Sequence, residues 1–331
     1  MPQTLLISRR TALTAAAAVL ASPCRAFAQS AVPAEFPKRP MTLILPLAPG
    51  GPVDVLGRLL AQEYQARSGH PAGVENRTGG AGNIGIDAVR RATPDGTTLL
   101  VIPAGNLTIN PTLMPDLTFD VERDFAPITI LATAANLFVA SPKLGIRTIP
   151  ELIAKSRQTK LSYGTPGVGS QLHLAMELFK QKTGVDMTFI SYRGAAAAAA
   201  DVLAGHVPLC IANIDSLMGQ VSAGKLKPVA TTGATRSTVL PETPTFVEAG
   251  FPDLIVTSWS LWAVPTGTPA KIKEKLKAAT ERALQAPDVI ASMRQGGFEP
   301  GTMPLPEVDA FIKAEYNRWG EVIRAAGIKP Q

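Results

Sequence analysis

From residue 41 the chain alternates short apolar runs with stretches of helical periodicity. MTLILPL (41–47) predicts a buried strand, and the segment from about Asp54 puts Leu56, Leu59 and Leu60 on one helical face. GVENR (73–77) predicts a short strand, IGIDAVRRA a helix, and TTLLVIP (97–103) another buried strand. Strands and helices in this order predict a mostly parallel sheet with helices on both faces.

A second block repeats the grammar. NLFVAS (136–141) predicts a strand, and TIPELIAKSR a helix with Thr148 as N-cap and Pro150 in its first turn. KLSYGT (160–165) predicts a strand, SQLHLAMELFKQKTG a helix closed by Gly184, and MTFISYR a further strand. The six-alanine run in GAAAAAADVLAG predicts a tightly packed helix, followed by the strand VPLCIANI. After KPVATTG comes a proline-rich loop, then the strand VTSWSLWAVP and two amphipathic helices near 269–286 and 305–326. Two α/β units imply a cleft, with ligands beyond the carboxyl ends of strands, where helices begin.

The length of 331 residues accommodates two domains, and 46% hydrophobic with 18% charged residues is a globular composition. Residues 1–28 are set apart as a signal peptide: SRR (8–10), the apolar run TALTAAAAVLA, and AFA (26–28) as a small-residue cleavage site near Ala28. The paired arginines suit the twin-arginine route, but Ala12 stands where that pattern prefers a bulky apolar residue, and general secretion fits as well. The leader predicts export. Cys24 leaves with the leader, so Cys210 remains alone and no intrachain disulfide is expected. Arg9, Arg10 and Arg25 leave too, which takes the net charge from +6 to +3. So slight an excess is no nucleic-acid footprint, and beyond the leader no apolar run is long enough to span a membrane.

Two corners carry the chemistry. In PLAPGGPVD, Gly50 and Gly51 allow close backbone approach, and the following helix presents unpaired N–H groups and a partial positive charge. That is an anion site without a lysine. A tight turn with Asp54 capping its own helix is the competing reading; on the anion reading Asp54 accepts the second or third helical amide and leaves the earlier ones free. YGTPGVGSQLH (163–173) repeats the device, with Gly167 and Gly169 in a loop, Ser170 at the N-cap, and hydroxyls on Thr165 and Ser170.

Other motifs carry less. GGAGNIG contains GxGxxG (Gly80, Gly82, Gly85), but the next strand ends in no acid for a ribose, which favours a structural turn with Asn83 near the cleft. His70, His173 and His206 lack a second metal ligand at useful spacing, and His173 is expected to cap or pack. There is no GxSxG elbow and no activating neighbour for Cys210. Neither a catalytic set, a metal nor a cofactor is expected. Arg193 is read as a surface residue before a ligand contact.

The segments FPKRPMTLILPLAPGGPVDVLGRLLA, VENRTGGAGNIGIDAV, TPDGTTLL, INPTL, RDFAPIT, PETPTFVEAGFP, TSWSLWAVPTGTP and WGEVIRAAGIK together resemble the Bug family, periplasmic receptors of tripartite tricarboxylate transporters. The resemblance implies a type II periplasmic-binding-protein fold, two α/β domains joined by two crossing strands with a ligand cleft between them. Residues 29–130 plus 256–331 would form one domain and 131–255 the other. It implies a ligand carboxylate held by main-chain amides of loops matching Pro49, Gly50, Gly51, Val53 and Asp54, and Thr165, Gly167, Gly169 and Ser170. Side-chain contacts would come from Asn110 and Asn213, with Asn106 as a further candidate. Val53, Leu107 and Ala212 stand where many members carry polar groups. These departures favour a mono- or dicarboxylate, aromatic acids included, over an amino acid. The implied partners are that small organic carboxylate and the membrane subunits of the transporter, the receptor itself being a monomer. A sensory receptor and a secreted hydrolase using the same cleft are the alternatives.

Overall fold

The computed structural model describes residues 37, 39–49, 52–114, 116–295, 297–301 and 303–329. The leader expected over residues 1–28, and Gly50 and Gly51, lie outside the described residues.

Strand β1 (Met41–Leu45) buries Leu43, Ile44 and Leu45 together, because helices cover both faces of the sheet around it. Parallel neighbours β2 (Ala72–Asn76) and β3 (Thr98–Pro103) flank it, reached through α1 (Pro52–Ser68) and α2 (Asn83–Arg90). Three short helices follow: α3 (Ala104–Thr108), α4 (Asn110–Leu113) and α5 (Val121–Asp124). They lead into β4 (Phe125–Ala140), a strand of 16 residues. The sequence marks only its final third as strand. Its middle, ITILATAA, is largely buried on both faces and so shows no alternation.

β4 organises the sheet. It pairs antiparallel with β9 (Thr257–Pro265) from Phe125 to Ala135, then with β7 (Leu209–Asn213) from Asn136 to Ala140. Between β4 and β7 the chain forms α6 (Ile149–Gln158), β5 (Leu161–Pro166), α7 (Gln171–Thr183), β6 (Met187–Tyr192) and α8 (Ala195–Ala204). α9 (Ile214–Ser222) and β8 (Lys227–Thr231) follow β7. The strand order is β2-β1-β3-β9-β4-β7-β5-β6, with β8 also paired to β4. After β9 the helix expected near 269–286 is seen as α10 (Ala270–Leu284), followed by a separate α11 (Pro287–Gln295). β10 (Glu299–Pro300) adds to β4, and α12 (Leu305–Ala325) ends the fold.

The apolar side chains gather into distinct clusters. Ile44, Ile86, Leu100, Phe125 and Trp259 pack around β1, β3 and β9. Phe138, Tyr163, Leu174, Phe179 and Ile211 fill one face of the other half, and Leu137, Ala198, Val202 and Cys210 the opposite face. The alanines of α8 let that helix lie close to the sheet beside Cys210, whose thiol burial pushes up to about 12. α12 bridges the halves: Val308 belongs to the first cluster, whereas Trp319, Val322 and Ile323 belong to the second. Ile109 and Leu113, either side of Asn110, also enter the second cluster although Leu107 lies in the first.

Candidate functional site

At the first corner Pro49 is exposed, Val53 half-buried and Asp54 buried at 4% exposure. The Asp54 carboxylate takes Arg58 Nε on Oδ2 (2.9 Å) and Arg58 Nη2 on Oδ1 (3.0 Å), one helical turn away. Asn76 Nδ2 donates to Asp54 Oδ1 (2.8 Å) and to the Leu47 carbonyl (3.1 Å), while Asn76 Oδ1 accepts from Arg58 (3.0 Å). Asp54 thus draws side-chain donors, and Arg58 offsets its charge. The hydrogen bonding that Arg58 donates to Asp54 raises the Arg58 pKa. The Asp54–Arg58 spacing was visible in the sequence as an i, i+4 pair; the part of Asn76 was not.

The second corner is described completely. Thr165 is fully buried at the end of β5, and its Oγ1 has no partner among the described residues. Gly167, at φ +82°, donates its N–H to the Tyr192 carbonyl (3.0 Å). Gly169, at φ +68°, donates to His173 Nδ1 (3.1 Å). Ser170 caps α7, accepting the His173 N–H (3.2 Å) and donating to the Gly167 carbonyl (2.9 Å). The glycine amides and the serine hydroxyl therefore shape the loop. The backbone donors left without a protein acceptor, among the described residues, are those of Val168, Ser170, Gln171 and Leu172. They gather at the N-terminus of a helix of 13 residues, with the Gly169 amide among them spent on His173, a geometry suited to an anion. Gln171 Nε2 ties this helix start to the Thr257 carbonyl of β9 (3.0 Å).

The two halves meet at this loop. A Cβ on Gly169 would overlap Leu113 Cδ1 in α4. Asn110, one turn before Leu113 and half-buried, has no side-chain bond to protein among the described residues. Asn106 is placed differently. It is buried, and its Nδ2 donates to the Ala81 carbonyl (2.8 Å), bracing the glycine turn.

That turn explains the GxGxxG pattern by packing. A Cβ on Gly82 would stand 3.0 Å from Asn106 Nδ2, and one on Gly85 2.6 Å from the Arg77 carbonyl. Asn83 points its Nδ2 at Met114 Sδ (3.4 Å), and its buried Oδ1 lacks a partner among the described residues.

Asn213 sits at the end of β7, opposite Asn136 of β4. Its Nδ2 donates to Ser258 Oγ (3.1 Å), which donates to Asn136 Oδ1 (3.1 Å). Asn136, fully buried, passes its own Nδ2 to the Val256 carbonyl (2.8 Å). This chain of amides and a hydroxyl lies where β4 changes partners, and no sequence motif announced it. Leu107 and Ala212 are both buried in apolar clusters, and Arg193 is exposed. Among the described residues no group of acids, histidines and cysteine is arranged to hold a metal.

Residues 56–328 match TctC, the tripartite tricarboxylate transporter family receptor. The chain is 34% identical to Protein BugT of Bordetella pertussis over 89% of its own length and 91% of that protein. Among solved structures it resembles R. palustris Rpa4515 with adipate (33% identity, TM-score 0.79, covering 90% of this chain and 100% of that one). It also resembles MatC from Rhodopseudomonas palustris with bound malate (29% identity, TM-score 0.73, 87% of this chain and 100% of that one). The mixed sheet with its β4 hand-over is the type II periplasmic-binding-protein architecture. A match across nearly all the described residues makes this chain a member of the tripartite tricarboxylate transporter receptor family.

Proposed function

We propose that this chain is a periplasmic receptor that captures a small carboxylate by closure of two domains and delivers it to the membrane subunits of a tripartite tricarboxylate transporter. The observation that carries this reading is the set of open amides of Val168, Ser170, Gln171 and Leu172 at the start of α7, in the loop that packs against Leu113 of α4. A carboxylate placed there replaces water with charge-assisted hydrogen bonds from fixed donors. The corner at Pro49–Asp54 supplies the opposing wall, with Asn213 as a side-chain contact. Adipate and malate in the related structures support the ligand class.

On this reading the domains are residues 29–130 with 256–331, and residues 131–255. They bend where β4 passes Ala135–Asn136 and where the chain enters β9, with α12 yielding between its two anchor points. The leader is removed near Ala28, and the mature receptor acts as a monomer without catalysis. Titration calorimetry of the mature protein with adipate, malate, benzoate, aspartate and glutamate tests the assignment. Binding of a simple mono- or dicarboxylate, with the acid recovered unchanged, is the expected result. Tight binding of the amino acids alone, or turnover of a bound acid, would reject it.

A further inference from the structure

His173 is not needed to contact a ligand, yet the second loop is built on it. The ring is 5% exposed and stacks on Phe189 with centroids 3.8 Å apart. Its Nδ1 accepts from Gly169 N–H at 3.1 Å, which requires a neutral ring with the proton on Nε2. Nε2 faces Glu177 at 3.7 Å. That carboxylate is already occupied by Tyr163 Oη (2.6 Å) from β5 and by Lys180 Nζ (2.9 Å) from α7. Burial is the main force against the imidazolium; Glu177 favours it and Lys180 opposes it, and the net effect is a lowered pKa. The Ser170 Oγ–His173 N bond (3.2 Å) closes the lock from the other side, so the loop and the first turn of α7 hold each other.

We infer that His173 is a positioning residue for anion capture: its neutral ring fixes Gly169 so that the Val168 and Ser170 amides stay open, and proton uptake by the ring unlocks the loop. An imidazolium has no acceptor at Nδ1, so two N–H groups would oppose each other across the present bond. Carboxylate affinity then falls in acid for a reason separate from protonation of the ligand. The inference rests on the carboxylate reading of this loop, but its core is a property of the empty protein.

The test uses the ligand-free, isotope-labelled mature protein, following the Gly169 amide and the His173 ring nitrogens by NMR from about pH 8 to about pH 4.5. The Gly169 resonance should move with the midpoint of the ring, below the ordinary histidine range. His173→Asn places an oxygen near the position of Nδ1 and should hold Gly169 with no titration, whereas His173→Leu should free the amide at every pH. Calorimetry with adipate as probe should show native affinity falling about tenfold further than that of His173→Asn over the same range, a difference that removes the titration of adipate itself. A Gly169 amide indifferent to ring protonation, or an Asn variant with the native pH curve, would overturn the inference. Adipate failing to bind at any pH, with the Gly169–His173 linkage intact, would support the lock and count against the carboxylate reading.

Discussion

Leu113 Cδ1 in α4 occupies the space that a Cβ on Gly169 would need, so any side chain in the loop before α7 at this position would have to push that methyl aside. Gly169 also holds φ +68°, a left-handed conformation that costs other residues about 1–2 kcal/mol. Gly169→Ala should therefore destabilise the fold by at least that amount and weaken carboxylate binding. Adding Leu113→Ala should remove the overlap while leaving the backbone strain. A double-mutant melting series separates the two contributions, and strict additivity would deny the contact.

Ser258 is the middle link between Asn213 and Asn136. Ser258→Ala leaves the buried Asn136 Oδ1 short of a donor and should cost about 1–3 kcal/mol in chemical denaturation. Its cycle with Asn213→Ala should show coupling of about 0.5 kcal/mol or more. Independent effects would mean that the two halves do not communicate along this route.

Ala81 is the one non-glycine residue at positive φ, +54°, among the described residues, and Asn106 holds its carbonyl. Ala81→Gly should raise stability by about 0.5–1 kcal/mol, the strain relief outweighing the extra chain freedom. Asn106→Ala should lower it by about 1–3 kcal/mol by orphaning that carbonyl. Thermal melts of the two variants should move in opposite directions.

Asp215, in the first turn of α9, has its pKa raised by burial, against the pull of the Ser216 and Asp215 amides and the Ser216 hydroxyl. A carboxyl raised in the folded state carries its penalty when ionised. Stability is lost as pH climbs from its ordinary value near 3.8 through the raised one, and the cost is complete at neutral pH. Asp215→Asn should therefore stabilise the protein at pH 7, and the advantage should vanish in acid. Denaturation midpoints measured across that range check the sign.

Much of the fold was legible because strands buried on both faces and helices with one apolar face leave strong periodic signals, as at Met41–Leu45 and α7. β4 was seen only in its last third because its middle is small, threonine-rich and buried on both sides. The loop at Thr165–Ser170 was found through its glycines, but which donors it leaves open was not. Gly167 and Gly169 spend their N–H groups on Tyr192 and His173, partners set by β6 and by the register of α7. Asn106, a further candidate for ligand contact, also braces through its amide a turn 25 residues earlier, a long-range pairing that no local pattern encodes.

The bridging of α12 bears on how the chain is made. Val308 completes one apolar cluster and Trp319 another, so neither can be finished until α12 has been synthesised. A nascent chain of this kind stays incomplete until α12 arrives, with Trp259 lacking the Phe311 ring it packs against, and is open to chaperones and proteases for that whole interval.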